Sequence, residues 1–60
     1  MTFREAEQMV RNDGWVLESV KGSHHHYKHN IKLGKVTIPR HKGDIPKRVV
    51  SSIKKQASLK

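Results

Sequence analysis

Trp15-Val16-Leu17-Glu18-Ser19-Val20-Lys21-Gly22-Ser23-His24-His25-His26-Tyr27-Lys28-His29 is the stretch that decides the fold of this 60-residue chain. Trp15 to Lys21 is rich in aromatic and β-branched residues and carries no helix cap, which predicts a strand. Gly22-Ser23 reads as a turn and His24 to His29 as a second strand. Side chains alternate between the two faces of a strand. Tyr27 is the only large apolar side chain in the second strand, so it should face a core. His25 and His29 then share its face or lie at the margin, and His24, His26 and Lys28 point to the opposite, open face.

Working outward, Asn30 to Gly34 reads as a hairpin loop. Lys35 to Pro39 is a third strand with Val36 and Ile38 on one face. On the N-terminal side, Thr2 and Glu5 have the spacing of a capping box, and Phe3, Ala6, Met9 and Val10 recur at helical intervals. Asn12-Asp13-Gly14 ends that helix, with Gly14 supplying a left-handed residue. On the C-terminal side, Arg40-His41-Lys42-Gly43 is a loop and Asp44 is the expected N-cap of a second helix, with Pro46 in its first turn. Val49, Val50, Ile53 and Ala57 form the apolar stripe of that helix, with Lys47, Arg48, Lys54 and Lys55 outside it. The expected fold is α+β, in the order α-β-β-β-α, with two helices on one face of a three-stranded antiparallel sheet and the other face open.

A chain this short allows one domain, residues 1–60, and buries only roughly 60% of its unfolded surface, so its stability should be thin. It has no cysteine to add disulfides or thiol chemistry. Thirteen Lys and Arg against five Asp and Glu give a net charge of +8, which favours polyanionic partners. No apolar run approaches the roughly 20 residues of a membrane span, and the polar, acidic start is unlike a signal peptide, so the expected location is the cytoplasm.

The histidine cluster admits three readings. Zinc ligation suffers from the absence of cysteine and of any carboxylate between Glu18 and Asp44, and consecutive strand residues do not converge on one ion. Surface histidines that touch phosphate would explain some members, His25 and His29 among them. General acid–base catalysis on RNA is the third. Histidine's ordinary pKa of about 6.5 suits proton transfer near neutrality. RNA supplies its own nucleophile in the 2′-hydroxyl, and neighbouring cations can stabilise the charge that builds on the phosphoryl oxygens. By geometry alone His24 and His26 are the better candidates, and Gly22-Ser23 lets the backbone approach a phosphate beside His24.

Asp13-Gly14-Trp15 followed by Gly22-Ser23-His24-His25-His26-Tyr27 resembles the HicA toxin family of bacterial type II toxin–antitoxin systems. Val36-Thr37-Ile38-Pro39-Arg40-His41-Lys42-Gly43 is similar to that family's third strand and exit loop, and Ser52-Ile53-Lys54-Lys55-Gln56-Ala57 to its closing helix. The resemblance covers nearly the whole chain. It implies a double-stranded-RNA-binding-domain-like fold and an mRNA interferase; with histidine acid–base chemistry on the 2′-hydroxyl, that is a metal-independent endoribonuclease that needs no cofactor. It also implies that His24 is catalytic and that a HicB-type antitoxin covers the site. The chain departs from the family at Arg48-Val49-Val50 and Ser58, which bear on the bounds of the second helix.

The candidate RNA-binding residues are Lys21, Ser23, His26, Lys28, Lys35, Arg40, His41 and Lys42. With Tyr27 turned inward, no aromatic platform is left for stacking bases, so recognition should rest on phosphate and 2′-hydroxyl contacts. The general acid stays open among His26, His41, Lys28 and water. A non-catalytic basic RNA-binding module is the competing reading. A DNA-binding protein is disfavoured, because the second helix carries apolar residues where base-reading side chains would stand.

Overall fold

The computed structural model of the protein describes residues 1–40 and 42–59. In chain order it has α1 (Phe3–Asn12), β1 (Val16–Lys21), β2 (His24–Lys28), β3 (Val36–Pro39) and α2 (Lys47–Gln56). The strands form an antiparallel sheet in the order β1-β2-β3, as the sequence reading expects.

Helix α1 begins where the capping box places it. The Thr2 hydroxyl accepts the Glu5 N–H, and the Glu5 carboxylate accepts the Thr2 N–H. The Glu5 carboxyl is held below the usual carboxylate range, first by the Thr2 backbone N–H and then by the Thr2 side chain. The helix ends in a Schellman motif: Gly14 N–H donates to Arg11 O and Trp15 N–H to Val10 O, with Gly14 at φ +98°. That turn drops Trp15 into the core rather than into the strand.

Ala6 and Val10 of α1, Ile53 of α2 and the adjoining Ala57 are buried against Trp15, Tyr27, Val36 and Ile38. Both helices therefore lie on the Tyr27 face, and the alternate residues of β2 and β3 face away. The Tyr27 hydroxyl donates to the Glu7 carboxylate, which also pairs with Arg11 at 3.7 Å. Burial, and then the Glu7 carboxylate, push the Tyr27 phenol above the usual tyrosine range.

Asp44 does not cap the second helix. The helix starts two residues later, with Pro46 at the N-cap and no side-chain cap. Ile45 precedes a proline, which disfavours helical backbone there. It stays outside the helix instead, gives its N–H to Met1 O and buries its side chain in the core, a position the helical stripe did not include. The outer edge of β3 is covered from α2: Gln56 Oε1 accepts the Thr37 N–H at 2.9 Å. Among the described residues no helix is long and apolar enough to cross a membrane.

Candidate active site

The open face of the sheet is built around the turn between β1 and β2. Gly22 has φ +58°, the positive first position of a two-residue hairpin loop. A Cβ there would meet nothing within 4 Å, so backbone conformation rather than space favours glycine. The turn sets Lys21 directly across from His24. On the other side His24 pairs with Pro39 and His26 with Thr37. Arg40 N–H donates to Ser23 O at 2.7 Å, which extends the ladder to the turn itself.

His24 is the exposed histidine of the cluster; His25, His26 and His29 are half-buried. His26 shares the open face with His24, two residues further along the strand. Its Nδ1 lies 3.0 Å from the Thr37 hydroxyl, which fixes the ring. Lys28 follows on the same face and is exposed, as is Lys21. Lys21, Ser23, His24, His26 and Lys28 are thus brought together. Thr37 belongs with them and was absent from the expected set. Its only sequence signal is its alternate position between Val36 and Ile38.

The other expected contacts are placed differently. Lys35 is mostly exposed and reaches Glu18 at 3.5 Å, where a bulge between Leu17 and Ser19 interrupts the register of β1. Arg40 turns its guanidinium over the Phe3 ring, 5.5 Å from the centroid, on the helix side of the sheet. Lys42 is exposed in the loop leading to α2. His41 lies outside the described residues.

His25 and His29 are not surface histidines awaiting phosphate. The His25 ring meets Phe3 edge-on at 4.8 Å, and its Nδ1 is buried without a hydrogen-bond partner. His29 lies past the end of β2 and folds back on the C-terminus of α1. Its Nε2 donates to Asp13 O at 2.7 Å, while its Nδ1 accepts the N–H groups of Ile31 and Lys32, each at 3.0 Å. Two donors on one nitrogen and a carbonyl on the other fix the ring as the Nε2–H tautomer. The ring also meets Trp15 edge-on at 5.2 Å.

Lys32 completes this fastening. Its ammonium donates to the Asp13 carboxylate and, at 3.1 Å, to Ala57 O, so one cation serves the C-terminal ends of both helices. Lys32 holds the Asp13 carboxyl below the usual carboxylate range, with help from Trp15 Nε1. A surface cleft lined by Met9, Asn12, Asp13, Lys54 and Leu59 is at this end of the molecule and shares no residue with the His24 face. Among the described residues no three His, Cys, Asp or Glu side chains are grouped to hold a metal ion.

The arrangement offers an exposed imidazole at a tight turn, a second oriented imidazole beside it and flanking ammonium groups. That set can exchange protons with a phosphodiester and its 2′-hydroxyl while neutralising the phosphate. No curated protein matches the chain. The model of the family described as the HicA toxin of bacterial toxin–antitoxin systems matches residues 3–59, which include every strand and both helices. The chain therefore belongs to the HicA toxin family of bacterial toxin–antitoxin systems.

Proposed function

We propose that this toxin is an mRNA interferase: an endoribonuclease, independent of metal, that stops translation by cutting mRNA with His24 as its general base. One observation carries the reading. In a cluster where the other histidines are packed or bonded, His24 alone stands exposed on the open face, at a glycine-formed turn and opposite Lys21. His24 takes the proton of a 2′-hydroxyl, and the oxygen attacks the adjacent phosphorus in line. Lys21 and Lys28 stabilise the charge that develops on the phosphoryl oxygens. The products are a 2′,3′-cyclic phosphate and a 5′-hydroxyl. The net charge of +8 gathers RNA of any sequence, and the thin core makes a HicB-type antitoxin a stabilising partner as well as an inhibitor.

The test compares wild type with His24→Ala on a long single-stranded transcript in EDTA, with the fragment ends analysed. Cleavage by wild type alone, leaving cyclic phosphate ends, supports the reading. Binding by both proteins with cleavage by neither would make this a non-catalytic basic RNA-binding module. Activity lost in EDTA and restored by one particular metal would overturn the metal-free mechanism. Antitoxin binding should raise the melting temperature of the toxin, and an unchanged melting temperature in the complex would contradict the stabilising role.

A further inference from the structure

Building on the ribonuclease reading, we propose that His26 is the general acid that protonates the leaving 5′-oxygen, with the Thr37 hydroxyl orienting its ring. In-line displacement places the attacking 2′-oxygen and the leaving 5′-oxygen on opposite sides of phosphorus. A base and an acid must therefore flank the phosphate. Residues two apart on one face of a strand are separated by roughly 6–7 Å, room for a phosphate between two imidazoles. His24 and His26 have that relation on β2, on the face turned away from the helices.

Orientation distinguishes His26 from the other candidates. Its Nδ1 is engaged by Thr37 Oγ1 at 3.0 Å, so Nε2 is the nitrogen left for substrate. The threonine hydroxyl can accept from a protonated Nδ1, so the bond persists in the imidazolium form that an acid needs. On either side the ring stands beside Ser19 of β1 and Thr37 of β3, residues too short to cover it. His25 is on the other face against Phe3, and His29 spends both nitrogens on backbone groups. Lys28 shares the open face, but an ammonium gives up a proton near neutral pH far less readily than an imidazolium.

The step balances without a further reactant. The 2′-hydroxyl proton passes to His24, the O2′–P bond forms, the P–O5′ bond breaks, and the departing oxygen takes the proton from His26 Nε2. His24 ends protonated and His26 neutral, and exchange with water restores both.

The experiment uses an oligonucleotide spanning a mapped cleavage site, made once with the natural 5′-oxygen and once with sulfur at that bridging position. A thiolate leaves without being protonated, so the sulfur substrate does not need the acid. His26→Gln keeps a polar group beside Thr37 but cannot transfer the proton. It should slow cleavage of the oxygen substrate by about 100-fold or more. On the sulfur substrate it should stay within a few-fold of wild type, while His24→Ala fails on both. Equal losses on the two substrates, or no loss on the oxygen substrate, would overturn the assignment while leaving His24 in place. A wild type that cuts no transcript, so that no site can be mapped, removes the ribonuclease reading and this assignment together.

Discussion

Replacing Gly14 with alanine should cost this protein a large part of its stability, through two separable effects. The first is conformational. Gly14 sits at φ +98°, and a side chain in left-handed backbone costs about 1–2 kcal/mol. The second is steric. A Cβ at this position would stand 2.7 Å from His29 Nε2, so the ring must move. Moving it breaks the bond to Asp13 O and disturbs the two backbone donors that share Nδ1. Each such bond is worth about 1 kcal/mol net. The sum, on the order of 2–4 kcal/mol, is set against a total of roughly 3–9 kcal/mol for a chain this size. The melting temperature should fall by about 10–25 °C, measured by circular dichroism at 222 nm. A double-mutant cycle with His29→Ala separates the two effects. With the ring gone, only the conformational cost remains, so the alanine should be less damaging in that background. A fall of under about 3 °C for Gly14→Ala alone, or full additivity in the cycle, would show that the His29 ring does not constrain this position.

Three further outcomes follow from the same contacts. The Tyr27 phenol is raised in the folded state, so its contribution is complete below about pH 10 and lost as pH climbs through the folded value; Tyr27→Phe should flatten the alkaline side of a stability profile from urea titrations. Asp13 is lowered by Lys32, so that contribution is present above about pH 4 and lost as pH falls further; Lys32→Met should be less stable than wild type at pH 7, with a gap that narrows in acid. Thr2→Ala removes the hydroxyl half of the capping box and should cost about 1 kcal/mol in the same titrations. On the proposed interface, Lys28→Ala should reduce the slope of log affinity against log salt for single-stranded RNA by about 0.7, read by fluorescence anisotropy.

Local patterns in the sequence carried most of the architecture. The capping box, the Gly14 stop and the alternation around Tyr27 and Val36–Ile38 each act over a few residues, so spacing alone reveals them. Alternation also separated His24 and His26 from His25. What was illegible depended on residues distant in the chain. Nothing local shows that His29 caps Asp13, 16 residues away, or that Lys32 reaches both Asp13 and Ala57. Ile45 was missed because a lone apolar residue between Asp44 and Pro46 has no period to declare it. The cap expected at Asp44 failed for a different reason: the proline that suggested a helix start also disfavours helical backbone at the residue before it. That the Arg40 guanidinium lies over the Phe3 ring was equally hidden, because the two residues are 37 positions apart.

The arrangement at the edge of β3 limits how these molecules can associate. In an antiparallel ladder every second residue turns its backbone outward. In β3 those residues are Thr37, whose N–H is already given to Gln56, and Pro39, which has none. The strand thus offers an incoming chain no free donor, which makes β3 a poorer template for a further strand than β1. A sheet that can be extended at one border alone pairs with one copy of itself and then has nothing left to add to. Association through β1 would therefore close on a pair rather than run on into a fibre.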